Sequence, residues 1–226
     1  MTGTLRGVPE PFEAVLLDLY DTIVWSEWFR MRDAMAALIG NEMEADRLQK
    51  AFEATRPARG VGEFDGVRGD MAAVLEAAGV ARDDALIDGL VELERAHLEN
   101  GVHLYDDVFP VLASLGKRGV RTGLVSNCSH STRPVVERLG LEEVFDSVIL
   151  SFEVRAMKPD PAIYRVANER LGVVRPERAL FVDDQPQYCD GATAAGLAAR
   201  LILRANEDVP ADQAGHQVVT DLAWLL

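Results

Sequence analysis

The chain has 226 residues, 48% of them hydrophobic, and a net charge of −14. It is long enough to bury a substantial core and to hold one domain with a second inserted in it, and too hydrophobic for global disorder. The acidity argues against nucleic acid or an anionic membrane as the main partner. A phosphorylated small molecule stays open, because a bound cation and a few local basic groups reverse the field around a site.

The N-terminal stretch, with Gly3, Gly7, Pro9 and Pro11, reads as a loose tail without an apolar core of the signal type. From Phe12 to Asp18 an apolar run reads as a buried strand that stops at an acid. From Ser26 to about Asn100 the pattern is helical. Ser26 is read as the N-cap of a helix reaching Gly40, and a second helix covers Glu44 to Thr55. The segment Arg56 to Gly62 reads as a loop on its Pro and Gly content. Two more helices follow, near Gly69 to Ala78 and Asp83 to Glu99. In the last, Leu86, Leu90, Leu93 and His97 share one face, and the acids Glu92, Glu94 and Glu99 read as a solvated one.

Beyond Asp107 strand and helix patterns alternate. Helices are expected at Val108 to Lys117, Thr132 to Leu139, Asp160 to Gly172 and up to Gly196. Strands are expected at Val120 to Val125, Phe145 to Leu150, Ala179 to Val182 and Ala199 to Leu203, with a short strand and a helical turn between Val218 and Leu226. Such alternation implies an α/β fold, a parallel sheet with helices on both faces. No stretch is long enough to span a bilayer, and Cys128 and Cys189 lack metal-ligand spacing, as suits a reducing compartment. A cytoplasmic protein is expected, monomer or homodimer, with no nucleic-acid or membrane partner.

The residues able to do chemistry lie at strand ends, where open α/β sheets bind ligands. Asp18 is a carboxylate able to attack phosphorus or ligate a hard cation. Asp183 and Asp184 are adjacent acids, a pair that a cation such as Mg²⁺ relieves of its repulsion. Lys158 can neutralise both the nucleophile and phosphate oxygens. Ser126 and Asn127 can donate to a phosphoryl oxygen, and Thr22 can orient the acid or the phosphate. Taken singly, each is as well explained as a turn or cap residue. The histidines His97, His103, His130 and His216 pair with no acid at metal spacing. Trp25 and Trp28 read as hinge packing, and Asp21 as a solvated turn acid.

Together, Asp18 to Thr22, Ser126-Asn127, Lys158 to Pro161 and Asp183-Asp184 resemble the four motifs of the haloacid dehalogenase superfamily. Gly191 to Gly196 is similar to the helix that follows the fourth motif. The resemblance implies a Rossmann-like core of residues 1–23 and 101–226 and a helical cap of residues 24–100. It also implies an aspartyl-phosphate on Asp18, phosphoryl binding by Ser126 and Lys158, and Mg²⁺ held by Asp18, the Tyr20 carbonyl, Asp183 and Asp184. Arg56 and Arg59 stand where caps of this family place substrate contacts, and Tyr20 and Asn127 also face substrate on this reading. The implied function is Mg²⁺-dependent hydrolysis of a small phosphorylated metabolite. One position departs. Phosphatases of the family carry an acid/base Asp two residues after the nucleophile, and here that residue is Tyr20; Asp21 beside it is the alternative acid/base, from a different backbone position. The substitution is similar to 2-haloacid dehalogenases, which need no metal, but those carry Ser and Asn where this chain has Asp183 and Asp184. A carbon–halogen hydrolase and a catalytically weakened binding protein are therefore the alternatives.

Overall fold

In the computed structural model, which describes residues 12–40, 43–204 and 215–226, the apolar run Ala14–Leu17 is strand β1. All four of its side chains are buried, as a strand covered on both faces requires. The stretch with Gly3, Gly7, Pro9 and Pro11 lies outside the described residues. There follow β2 (Val24–Ser26), α1 (Trp28–Ile39), α2 (Ala45–Gly60), α3 (Gly66–Ala77), α4 (Asp84–Asn100) and β3 (Val102–Leu104). The alternating part comprises α5 (Val108–Lys117), β4 (Arg121–Ser126), α6 (Thr132–Arg138), α7 (Leu141–Val144), β5 (Ser147–Leu150) and α8 (Ser151–Val154). It continues with α9 (Pro161–Arg170), β6 (Ala179–Asp183), α10 (Pro186–Ala194), β7 (Ala198–Ile202) and β8 (Val218–Val219).

Six strands form one parallel sheet in the order β5-β4-β1-β6-β7-β8. The chain winds outward from β1 to β5, then returns to lay β6 on the other side of β1. In open α/β sheets ligands bind outside the carboxyl ends of strands at such a switch point. Leu17 is level with Val182 of β6. The next residues along, Asp18 and Asp183, therefore leave the sheet side by side at the switch.

Alternate residues of β1 feed opposite faces. Val15 and Leu17 join Val111, Leu115, Leu124 and Val136 on one side, and Ala14 and Leu16 join Ile163, Tyr164, Phe181 and Leu201 on the other. Each such large side chain contributes roughly 1.5–3 kcal/mol on burial. Helices α1–α4 carry a third cluster of their own, with Met35, Leu48, Phe52, Val74, Ile87 and Leu90 at its centre. They join the rest through the antiparallel ribbon β2–β3. Among the described residues no helix is long and apolar enough to cross a membrane.

Three local expectations are corrected. Ser26 is not a helix cap: it pairs with Val102 in the ribbon, and Glu27 takes the cap position of α1. The ribbon is too short, at three residues a strand, for an alternation signal. Arg56 to Gly60 is not loop but the last turn of α2, with Pro57 inside it. Pro57 withholds only one N–H, and the turn after it stays bonded, with Val61 N donating to Pro57 O at 3.2 Å. The buried stripe of α4 is Ile87, Leu90 and Glu94, so Glu94 is no solvated acid, whereas Glu92 and Glu99 are exposed and pair with Arg95.

Candidate active site

Asp18 leaves β1 with its N–H donating to Val182 O at 3.0 Å, and it is buried. The chain then turns tightly: Ile23 and Val24 N–H groups both donate to Leu19 O at 2.9 Å. Asp21 sits at φ +59°, in the left-handed region that short polar side chains tolerate. The turn tucks Thr22 out of solvent, where Arg204 Nε donates to its carbonyl at 2.9 Å and Arg204 Nη1 reaches Asp107 at 2.7 Å.

Lys158 lies under this turn. Its ammonium donates to Asp18 and, at 2.6 Å, to Asp183. Asn127, just past β4, clamps the lysine main chain from both sides. Its Nδ2 donates to Lys158 O at 2.8 Å and its Oδ1 accepts from Lys158 N at 2.7 Å. Asp160 then caps α9 as expected, accepting from Ala162 N at 2.8 Å. Asp183 Oδ1 accepts from Gln185 N at 2.8 Å.

Asp18, Asp183 and Asp184 bring carboxylate oxygens within 4.8 Å of one another. One ammonium faces three acids. Burial, then Lys158 against it and Asp183 with it, leaves the Asp18 pKa raised. Asp184 is raised too, by burial and by the charges of Asp18 and Asp183. Burial works against the Lys158 charge, but the two carboxylates outweigh it and hold the ammonium above its usual range. The hydroxyls of Thr22 and Ser126 are buried and have no hydrogen-bond partner. Unsatisfied buried hydroxyls cost about 1–3 kcal/mol each, so both carry donor capacity that no group of the chain uses.

A cleft of ≈ 460 Å³ opens between helices α1, α2 and α4 and this end of the sheet. Tyr20, Trp28, Phe52, Arg56, Arg59, Glu94, Asn127 and Thr132 are among its walls. Burial raises the Tyr20 phenol above its ordinary value, so it stays protonated. Arg59 is tied to its own helix by Thr55 Oγ1 at 3.0 Å and lies 5.1 Å from the Phe52 ring centroid; burial lowers its pKa. Arg56 is exposed and reaches the Tyr188 hydroxyl at 3.4 Å. Trp28 packs edge-on to Phe52 at 4.9 Å, and Trp25 lies 4.4 Å from the His103 ring across the ribbon. Cys128 is buried and burial pushes its thiol up to about 12, so it holds no thiolate at neutral pH.

The structure thus joins Asp18 and Asp183 through Lys158, brings Asp184 within 4.8 Å of both acids, and lays Tyr20, Asn127, Arg56 and Arg59 along one cleft. Three groups escaped the sequence reading. Glu94 was legible, since it continues the Ile87–Leu90 stripe at helical spacing. The pair Asp70–His130, joined at 2.9 Å, links α3 to the loop after β4 across 60 positions and has no sequence signal. Arg204 is 182 positions from the Thr22 carbonyl it holds.

The family model for haloacid dehalogenase-like hydrolases matches residues 12–196. Phosphatase MT3486 of Mycobacterium tuberculosis is 29% identical over 225 residues, 94% of each chain. (S)-2-haloacid dehalogenase 2 of Pseudomonas is 39% identical over 94 residues, 41% of each chain. The crystal structure of a 2-haloacid dehalogenase from Pseudomonas syringae superposes with a TM-score of 0.70 at 23% identity, covering 95% of this chain and 96% of that one. With a strand-end aspartate at the switch point of its parallel sheet and a family match over residues 12–196, the chain belongs to the haloacid dehalogenase-like hydrolases.

Proposed function

We propose that this hydrolase is a Mg²⁺-dependent phosphatase acting on a small phosphorylated metabolite, in the cytoplasm, through an aspartyl-phosphate on Asp18. The observation that carries the reading is the set of three carboxylates within 4.8 Å against a single ammonium. Hard oxygen donors with an unbalanced negative charge suit Mg²⁺, which takes a few carboxylates plus waters and phosphate oxygens. Asp18, Asp183 and Asp184 would hold it. Magnesium there supplies neutralisation of the phosphoryl oxygens.

The chain's own groups do the rest. Asp18 presents its free carboxylate oxygen to phosphorus. Lys158, fixed by Asn127, holds the charge of both acid and phosphoryl group. The unpartnered hydroxyls of Ser126 and Thr22 donate to phosphoryl oxygens. Residues 24–100 act as a helical cap whose cleft face, with Arg56 and Arg59, surrounds the leaving group and excludes water.

One observation favours a second reading. Tyr20 follows the nucleophile where a phosphatase carries an acid, and a Pseudomonas (S)-2-haloacid dehalogenase is among the relatives of the chain. Against it, the acid trio would repel a haloacid carboxylate. A panel of sugar phosphates, nucleotides and small organic phosphates, with Mg²⁺ and with chelator, beside a 2-haloacid, separates the two. Metal-dependent phosphate release is expected. Halide release unaffected by chelator would overturn the phosphatase reading.

A further inference from the structure

Transfer of a phosphoryl group to Asp18 leaves an alkoxide that needs a proton, and hydrolysis of the acyl phosphate needs a base to take one from water. The turn after Asp18 offers Tyr20 and Asp21. The Tyr20 phenol is held protonated, so it cannot act as the base near neutrality. Asp21 is exposed to solvent. The cleft has one buried carboxyl among its described walls, Glu94 of α4, at 7% exposure. Glu94 and Tyr20 line the same cleft, one from α4 and one from the turn after β1, and the consecutive core residues Ser131 and Thr132 share its wall with them.

Resting on the phosphatase reading, we propose that Glu94 is the general acid and base of the reaction, supplied by the helical unit. As the bond from phosphorus to the leaving oxygen breaks and Asp18 forms the acyl phosphate, the Glu94 carboxyl gives its proton to that oxygen. The resulting carboxylate then takes a proton from the water that attacks phosphorus. Inorganic phosphate leaves, and Asp18 and protonated Glu94 are restored.

The surroundings suit both roles. Burial pushes Glu94 up to about 7, Ser131 and Arg59 of α2 oppose it, and Asp70 of α3 adds to it. Asp70 is itself tied to His130. On α4, His97 lines the cleft, while Arg95 pairs with Glu92 and Glu99 in solvent. A carboxyl present in both forms near neutrality can give a proton in one step and take it in the next. Its place on the helical unit also makes chemistry conditional on that unit lying over the core.

The test is Glu94→Gln, assayed with Mg²⁺ on para-nitrophenyl phosphate and on an alkyl phosphate such as glycerol phosphate, across pH. An aryl leaving group needs little protonation. The alkyl ester should lose about 10²–10⁴-fold in kcat/KM. The aryl ester should keep a burst of nitrophenol followed by slow turnover, and the pH dependence of kcat should lose a limb. Glu94→Asp, which keeps a carboxyl, should recover part of the alkyl-ester rate, and it carries the same pH test if Glu94→Gln does not fold. Equal losses on both esters, or an unchanged pH profile, would overturn the role of Glu94. No turnover of either ester by the wild type would overturn the phosphatase reading and this role with it.

Discussion

The Lys158 ammonium donates to Asp183 at 2.6 Å with both side chains shut away from solvent. Its other hydrogen bond goes to Asp18. Removing the lysine leaves two buried acids facing each other without a cation. Breaking a buried pair by deleting one partner costs about 3–5 kcal/mol. Lys158→Met should therefore lower stability by that order in a urea melt and abolish turnover. Adding Asp183→Asn should restore part of the stability, because the second change removes the charge that the first left bare. Strictly additive losses would mean that the three groups do not act as one unit.

Gly191 tests how closely α10 approaches the lysine loop. A Cβ there would lie 2.6 Å from Pro159 Cβ and 2.9 Å from Pro159 O. Alanine favours a helix over glycine by about 1 kcal/mol, and overpacking costs typically 1–3 kcal/mol. The clash is with backbone next to Lys158, so it should win. Gly191→Ala should destabilise by about 1 kcal/mol and reduce turnover by displacing Lys158. Gly60→Ala is the control: its Cβ meets only the flexible end of Met157, at 2.4 Å from Sδ. It should be milder in both thermal melt and rate.

The sheet and the four acidic or basic motif residues were legible because each depends on short-range signals. An apolar run ending in an acid marks a strand end, and alternation of strand and helix marks a parallel sheet. Asp18 and Asp183 could be placed at one end of that sheet without coordinates, and Lys158 joined them through the family resemblance. The neighbours that tune them could not. Asp70 meets His130, Arg56 meets Tyr188 and Arg204 meets Thr22 over separations of 60 to 182 residues, set by how the helices dock. The end of α2 was misread because Pro57 and Gly60 are local breakers that tertiary packing overrides. Glu94 was misread by grouping it with Glu92 and Glu99 by composition instead of with Ile87 and Leu90 by spacing.

Glu94 also makes stability depend on pH in a defined direction. Its pKa is about 7 folded against 4.5 for the free group, with burial the main cause. Between those values the folded chain binds a proton that the unfolded chain releases, so stability falls as pH rises through the window. The effect is at most about 3 kcal/mol. Below pH 4.5 both states are protonated and the term vanishes. Glu94→Gln cannot ionise, so its melting temperature relative to wild type should climb between pH 4.5 and 7 and level off above. A difference that is flat with pH would show that Glu94 titrates normally.

Tyr20 decides whether the turn or the helical unit supplies the proton. The phenol is held protonated by burial and shares its polar contact with Thr132. If it only packs and bonds, Tyr20→Phe removes one net hydrogen bond, about 1 kcal/mol. That corresponds to a fewfold change in rate at most. A lost acid/base would instead cost about 10²–10⁴-fold. Phosphate-ester turnover by Tyr20→Phe is expected to stay within the smaller range on both aryl and alkyl esters, with an unshifted pH profile. In a dehalogenase-type site, where the tyrosine faces the haloacid, the same change should damage halide release while phosphate esters remain untouched by either protein. A loss of two orders of magnitude on the alkyl ester alone would move the proton donor from Glu94 to Tyr20.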